Sequence, residues 1–238
     1  MPTSLADLLL RPATEADAVA VAEAHLASRG RAVETGAMPP SVHASWEAYP
    51  WLAGRLATDE VWVAETGGRI VGYVRLTPTW LDDLFVVPEQ AGRGVGSALL
   101  DLAKAQRPGG FCLWVFETNT PARAFYAGRG LVELEHTDGA GNEERAPDVR
   151  MAWPGTDPLA FYRGLIDDVD DQLGDLLARR AALTRATQGH KPDRARDPRR
   201  EQEIAMALAR RAPDLGPDRL SRIVHAIITE SLDAAAER

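Results

Sequence analysis

The sequence has little cysteine and no long apolar run, and both facts narrow the class of protein. Cys112 is the single cysteine among 238 residues, which excludes an internal disulfide and a multi-cysteine metal site. It follows Phe111 in a strand-like stretch, so we expect it in the core. No apolar run approaches the roughly 20 residues that a membrane-spanning helix needs, and Arg11 is the first basic residue, too late for a signal peptide. We therefore expect a cytoplasmic protein with no membrane partner.

Basic side chains are also in deficit, and their distribution along the chain is uneven. The chain holds 27 Lys and Arg against 35 Asp and Glu, a net charge of −8, which argues against nucleic acid as the main partner. Residues 1–154 carry 13 basic and 20 acidic side chains, whereas residues 155–238 carry 14 and 15. The shorter part thus holds about half of the basic residues, many of them arginine, which favours a small anionic ligand there.

Helical and strand-like segments alternate in residues 1–154 and predict an α/β domain with a mixed, twisted sheet. A first helix is expected to open at Pro12 to Glu15 and to close at Gly30. The remaining segments are predicted as strands at 61–65, 70–76, 84–87, 111–116 and 150–153, and as helices at 96–106 and 121–127.

The pattern changes at the Pro/Gly-rich linker 154–158, after which only helices are predicted. We expect an all-α domain over residues 155–238 with helices at 159–187, 198–211 and 218–238. The first would span roughly 43 Å at 1.5 Å per residue, more than the width of so small a domain. Its apolar stripe therefore predicts an intertwined homodimer.

A glycine-rich loop opens one of the predicted helices. The strand ends at Val86 and Val87, and the loop and helix start comprise Gly92, Arg93, Gly94, Val95, Gly96 and Ser97. Glycines let the backbone approach an anion, and a helix N-terminus offers unpaired N–H groups and partial positive charge. The loop suits a pyrophosphate, and a tight turn without a ligand is the alternative.

Residues 9–153 as a whole resemble the GNAT N-acetyltransferase superfamily. The matching stretches are 10–14, the hairpin through 72–73, strand 84–87, the glycine loop, and 119–126 with 130–131. The resemblance implies acetyl-CoA bound between two splayed strands, with Asn119 touching it and Tyr126 protonating the departing thiolate; a core aromatic is the alternative for Tyr126. Ala91 departs from the family, which usually has Gln or Arg there.

The acyl acceptor and the general base are less defined. Asp82, Asp83 and Glu117 are candidate bases, with solvated strand-end carboxylates as the alternative. Residues 30–60 are expected to form the acceptor pocket, although their cluster of Trp46, Tyr49 and Trp51 also fits an ordinary core.

The C-terminal helices resemble the all-helical (AroQ-class) chorismate mutases. The resemblance rests on the order and spacing of Arg163, Arg180, Lys191, Asp197, Arg200, Glu201 and Ser231, with Ile166 and Asp170 between the first two. It implies a dicarboxylate substrate that rearranges without metal or cofactor, because the protein only has to hold a reactive conformer and stabilise developing charge.

The resemblance also implies a role for each of these residues. Arg180 and Ser231 would bind one carboxylate, and Arg163 would reach the other from the second subunit, since guanidinium forks bind carboxylates bidentately. Lys191 would donate to the ether oxygen, and Glu201 with Asp197 would receive the substituent on ring carbon 4. Arg200 would help to order Glu201.

Ala235 stands where the family has Gln or Glu, and this departure leaves several functions open. Loss of one transition-state donor costs about 2.7–4 kcal/mol. The leading hypothesis is a bifunctional enzyme that rearranges chorismate and acetylates an amine. The alternatives are a 4-amino-4-deoxychorismate mutase of a specialised pathway, an isochorismate pyruvate-lyase, an acetyltransferase with a non-catalytic helical dimerisation or sensor module, and a mutase with a degenerate acetyltransferase fold.

Overall fold

A computed structural model describes residues 7–188, 190 and 196–236 of the chain. The chain divides into two compact units, Met1–Tyr162 and Arg163–Arg238, which are described separately. The domain boundary predicted after residue 154 stays a prediction, because the division falls inside one continuous helix, Pro158–Gln188.

In the part of the N-terminal unit that the structure describes, from residue 7 onward, seven strands form two sheets. The strands are β1 (Leu9–Pro12), β2 (Glu60–Thr66), β3 (Arg69–Leu76), β4 (Leu81–Val86), β5 (Phe111–Phe116), β6 (Val132–Thr137) and β7 (Asp148–Trp153). Antiparallel pairing gives the orders β1-β2-β3-β4 and β5-β7-β6. The five predicted strands are confirmed, and β4 begins three residues earlier than expected.

Helices cover both faces of the first sheet because side chains alternate along its strands. The helices of this unit are α1 (Ala18–Glu34), α2 (Ala48–Thr58), α3 (Val95–Gln106) and α4 (Thr120–Ala127). Val63 and Tyr73 are buried against α1 and α2, whereas Ala64 and Val74 join the core around Leu99 of α3. Cys112 is buried in β5 as expected, and burial raises the pKa of its thiol.

The predicted limits of the first helix are wrong at both ends. Leu9–Pro12 pair with β2 as a strand, and α1 begins only at Ala18 after a short 3-10 turn capped by Thr14 and Asp17. The helix then continues through Gly30 to Glu34. Gly36, with φ of 73°, is the glycine that the chain uses after the helix end. Helix α2 and strand β6 were not predicted.

Strands β4 and β5 begin side by side and then separate. An isolated parallel bridge joins Trp80 to Cys112, and beyond it no hydrogen-bonded ladder links the two strands among the described residues. The β3–β4 register passes from Leu76 opposite Leu81 to Arg75 opposite Asp83, so Asp82 is a bulged residue. A bulge bends its strand and redirects side chains, so it contributes to the splay beside the two aspartates.

The described residues of the C-terminal unit form three helices, as predicted. They are α5 (Pro158–Gln188), α6 (Pro198–Arg211) and α7 (Gly216–Ala236). Helix α7 buries Leu220, Val224 and Ile228, whereas α5 has no buried residue and exposes a row of leucines, of which Leu176 is 60% exposed. None of the described helices combines the length and apolarity needed to cross a bilayer.

Candidate active sites

A cleft opens where β4 and β5 separate. It has a volume of about 600 Å³ and is lined by Leu81–Phe85 of β4, Leu113–Phe116 of β5, and the first residues of α4. Asn119 and Tyr126, both predicted site residues, lie on its wall. The Asn119 side chain caps α4 by accepting a hydrogen bond from the Ala122 amide at 3.2 Å. The cleft matches the predicted position of a cofactor between two splayed strands.

Tyr126 is buried in this cleft, and the pKa of its phenol is raised. Only 7% of the residue is exposed. Burial, and secondarily the negative charge of Asp83, raise the pKa of its phenol well above the ordinary value. A phenol that holds its proton at neutral pH beside a reaction site is suited to act as a general acid. Tyr126 belongs to the core cluster, as the alternative interpretation expects, and its role as an acid stays a prediction.

The glycine-rich loop follows β4 and ends at the N-terminus of α3. Gly92 and Gly94 have φ of 74° and 90°, which explains why glycine stands at both positions. Gly94 is the N-cap, so the amides of Val95, Gly96 and Ser97 lie in the first helical turn, where N–H groups have no intrahelical partner. Val86 and Val87 lie below the loop and pack against the core.

Arg129 lies beside this helix start and was not predicted as a site residue. Its guanidinium donates to Ser97 Oγ and stacks over the Phe125 ring, 4.0 Å from the ring centroid. A cation is therefore held at the N-terminus of α3. Ala91, where the family usually has Gln or Arg, provides no polar side chain there. Ala91 and Arg93 themselves are exposed. The signal in the sequence was an arginine three residues after Tyr126.

The three candidate bases occupy different surroundings. Asp83 is buried and paired through Oδ2 with Arg75 Nε, while Asp82 is exposed and lies 3.8 Å from the same guanidinium. Both aspartates line the cleft. Glu117 is half-exposed and faces His136. The structure therefore favours the aspartates of the β4 bulge over Glu117.

A second cavity of about 910 Å³ adjoins the cleft. Arg29, Asp83, Phe85 and Glu144 line both spaces. The remaining walls come from α1, α2 and residues 40–48, in agreement with the prediction that residues 30–60 form an acceptor pocket. Of the predicted aromatic cluster, Trp51 lines the cavity, whereas Trp46 is 67% exposed.

His25 on α1 is a wall residue of this second cavity that the sequence analysis missed. Its Nδ1 lies 2.8 Å from the hydroxyl of the fully buried Tyr73, and its ring meets Phe85 edge to face. Burial lowers the pKa of His25, so the imidazole is neutral at pH 7.

In the helical unit, the structure brings together two of the predicted residues. Arg180 Nη1 donates to Ser231 Oγ at 2.6 Å and to the Ile227 carbonyl at 3.2 Å. Ser231 is 7% exposed and Arg180 is half-buried. The Ser231 hydroxyl itself donates to the Ile227 carbonyl at 2.6 Å, so the guanidinium of Arg180 is the main donor that this pair offers to a carboxylate.

Glu201 is held by a different arginine from the one predicted. Arg196 forms a bidentate pair with Glu201 at 2.7 and 2.9 Å, and this pair lowers the pKa of the Glu201 carboxyl. Arg200 instead faces Glu203, because adjacent positions on a helix point in different directions. Asp197 is the N-cap of α6 and accepts from the Arg200 amide.

The two clusters contact different faces of α7. Arg196 also donates to Thr229, which is two residues from Ser231 and therefore about 200° around the helix. Among the described residues, no hydrogen bond joins Glu201 to Arg180 or Ser231. Arg163 is exposed on α5, and Lys191 lies outside the described residues.

Comparison with known proteins finds a different family model for each part of the chain. Residues 57–132 match the family model of the acetyltransferase (GNAT) domain, and residues 162–235 match that of chorismate mutase type II. An uncharacterised N-acetyltransferase of Archaeoglobus fulgidus is 36% identical over 110 residues, which span 40% of this chain and 74% of that protein. The chain belongs to the GNAT acetyltransferase family. Its C-terminal part is a chorismate mutase type II domain.

Two further matches concern the N-terminal unit. The peptidyl-lysine N-acetyltransferase YiaC of Escherichia coli is 32% identical over 102 residues, which span 42% of this chain and 66% of that protein. The crystal structure of a GCN5-related N-acetyltransferase from Rhodopseudomonas palustris aligns with a TM-score of 0.53 at 24% identity, over 65% of this chain and 98% of that one. The structural match supports the fold alone. The predicted fusion of the two domain types is thus confirmed.

Proposed function

We propose that this GNAT–mutase fusion is a bifunctional enzyme. In our proposal the N-terminal domain transfers an acetyl group from acetyl-CoA to an amine, and the helical domain rearranges chorismate or a close analogue. The observation that carries the first activity is the splayed β4–β5 cleft, with the buried acid Tyr126 on its wall and a glycine-lined helix start beyond it. The observation that carries the second is the Arg180–Ser231 pair.

The residues of the N-terminal domain fit a CoA thioester. The first-turn amides of Val95, Gly96 and Ser97 offer donors to a pyrophosphate, and we assign Arg129 the cationic role that Ala91 lacks. Asn119 and the β4 backbone would flank the pantetheine arm in the cleft. Acetyl-CoA supplies an acyl group that is activated as a thioester.

The protein contributes proton transfer and positioning to the acetyl transfer. Overall, a C–N bond to the acceptor forms, the C–S bond breaks, and the acceptor, which enters as an ammonium, loses two protons. Tyr126 donates a proton to the departing sulfur and is restored by one of the amine protons, and the other is released to solvent through the aspartates of the β4 bulge. Of the Asp83 oxygens, Oδ2 is held by Arg75, so Oδ1 is the one available as a proton acceptor.

The helical domain would act by holding a dianion. Arg180 and Ser231 bind one carboxylate, and Arg163, exposed on α5, reaches the other in a partner's site. One C–O bond breaks and one C–C bond forms within the same molecule, so no reagent has to be supplied. Lys191 would donate to the ether oxygen.

This arrangement requires a homodimer through α5. The apolar side chains of α5 are exposed in the single chain, and contiguous apolar surface of this kind marks an interface. A second copy of α5 would cover them and bring Arg163 of one protomer toward Arg180 of the other. The expected homodimer is tested by light scattering on the purified protein.

One observation favours a second candidate function, an acetyltransferase with a non-catalytic helical module. Glu201 is neutralised by Arg196 rather than aimed at the Arg180–Ser231 pair, and Ala235 provides no donor. The test is to supply chorismate, isochorismate and 4-amino-4-deoxychorismate separately and to identify products by mass. Prephenate, salicylate or amino-prephenate would identify the substrate, whereas no conversion of any of them would support the non-catalytic module.

A further inference from the structure

The second cavity of the N-terminal domain combines groups that recognise both charges of one small molecule. Arg29, Asp83 and Glu144 lie at the junction where this cavity meets the cleft. A cation and two carboxylates therefore line one junction, at the point where an acceptor nitrogen has to meet an acyl carbon.

Arg29 retains an unused donor at this junction. Its Nη2 pairs with Glu144 Oε1, and both side chains are 16% exposed. Its Nε is buried and has no hydrogen-bond partner among the described residues. A buried guanidinium N–H without an acceptor is costly, and a carboxylate oxygen of a bound molecule would satisfy it.

His25 provides a second donor next to Arg29. The hydroxyl of Tyr73 is fully buried, and His25 Nδ1 is the acceptor within reach, so the hydroxyl donates to Nδ1. A neutral imidazole that accepts at Nδ1 carries its proton on Nε2. Since His25 lines the second cavity, it presents an N–H donor rather than a basic nitrogen there. The hydrogen bond thus fixes the tautomer and argues against His25 as the general base.

One stretch of the cavity wall is aromatic, and the other lining residues are small, apolar or charged, among them Glu47, Arg55 and Glu143. The His25 ring lies 4.6 Å from Phe85 and 6.0 Å from Trp51, centroid to centroid. Flat side chains of this kind pack well against a planar group. The cavity volume of about 910 Å³ is ample for a small ligand.

Resting on the acetyl transfer proposed above, we infer that the acceptor is a free α-amino acid with an aromatic side chain. The Arg29 and His25 donors take its carboxylate, and the carboxylates at the junction take its ammonium. The amine and the acid must be close together in the acceptor because their partners share one junction. The aromatic side chain extends toward Trp51.

The experiment compares four acceptors with the full chain and acetyl-CoA. Phenylalanine has both charges together, phenethylamine lacks the carboxylate, 4-aminobenzoate separates the two groups, and a lysine-containing peptide presents a different amine. Released thiol and the acetylated product are measured for each. We expect kcat/KM for phenylalanine to exceed that for phenethylamine by about ten- to a hundredfold, the range of one charge-assisted hydrogen bond.

A matched pair of variants assigns this preference to the cavity. Arg29→Gln should lower kcat/KM for phenylalanine about tenfold or more and leave phenethylamine within about twofold, since only the former has a carboxylate to lose. Arg31→Gln, an exposed position on the same helix, should change neither. Unchanged affinity for acetyl-CoA shows that the Arg29 variant is folded, and His25→Phe provides a second test of the same preference.

The outcomes separate this inference from the acetyl transfer on which it rests. Acetylation of the peptide, of 4-aminobenzoate or of phenethylamine at rates equal to or above phenylalanine overturns the inference and leaves acetyl transfer intact. Failure to bind acetyl-CoA, or to acetylate any of the four, overturns both.

Discussion

Replacing Arg75 should destabilise the N-terminal domain because its guanidinium compensates the buried carboxylate of Asp83 and the partly buried carboxylate of Asp59. Arg75 is 8% exposed and lies directly across the β3–β4 ladder from Asp83. Its Nε bonds Asp83 at 2.5 Å, and its Nη1 bonds Asp59 at 2.8 Å. Arg75→Met keeps the apolar stem but leaves both acids without their main partner.

The expected loss follows from the cost of an unpaired buried charge. Removing one partner of a buried ion pair costs about 3–5 kcal/mol. Asp59 keeps a hydrogen bond from Thr58 and lies 3.9 Å from Arg55, so we expect the lower end, about 3 kcal/mol. For a unit of this size that corresponds to a midpoint about 6–12 °C lower.

Urea unfolding followed by tryptophan fluorescence measures this loss in the right domain, because all six tryptophans lie between Trp46 and Trp153. Arg55→Gln is the control: Arg55 is 46% exposed and near the same Asp59, so it should cost less than about 1 kcal/mol. A loss within about 1 kcal/mol of zero for Arg75→Met would refute the claim that this network is buried and necessary.

Three further predictions concern catalysis, assembly and pH. Tyr126→Phe should lower kcat for acetyl transfer by about a hundredfold or more without changing acetyl-CoA affinity, because it removes the proton donor; an unchanged kcat would reject Tyr126 as the acid. Leu176→Glu should shift the protein toward monomer in light scattering, whereas Ala178→Glu, about 200° around the same helix and exposed, should not; two dimeric variants would exclude this face of α5. The hydrogen bond from Arg11 lowers the pKa of Asp17, so its stabilisation is complete above the unfolded pKa of about 3.9 and is lost as pH falls below it. Asp17→Asn should therefore flatten the acid limb of the stability curve, and an identical limb in both proteins would contradict this assignment.

Most of the secondary structure could be predicted because the apolar residues of most segments recur with a clear helical or strand-like period. The three C-terminal helices end within about two residues of expectation, since prolines and glycines mark their limits. The first helix was misplaced because Gly30 is a plausible stop signal, yet α1 continues past it to Glu34 and tolerates the glycine. Strand β6 alternates only over Val132-Glu133-Leu134-Glu135 and is largely exposed, so its sequence signal lies at the lower limit of length by which strands are recognised.

Some residues of the candidate sites could be predicted from a local motif, and others only from the tertiary fold. The glycine loop is a local motif, and the structure places it as predicted. The acceptor cavity depends on α1 packing beside β4, so His25 and Arg29 have no local signature. Arg129 and Arg196 act through side chains that cross from one element to another. Contacts of this kind depend on the tertiary fold, so they cannot be predicted from the spacing of residues along the chain.

We propose that both domains of this fusion are enzymes. The activity of the helical domain is the harder of the two to establish, because Ala235 provides no donor. The measurement is the loss of chorismate absorbance with the full chain and with Arg180→Ala, with prephenate identified by mass. We predict turnover by the wild-type protein and its near-complete loss in the variant, because Arg180 and Ser231 hold a substrate carboxylate. Absence of both binding and turnover of chorismate and its 4-amino analogue, in protein that binds acetyl-CoA, would contradict the account and leave an acetyltransferase with a helical assembly module.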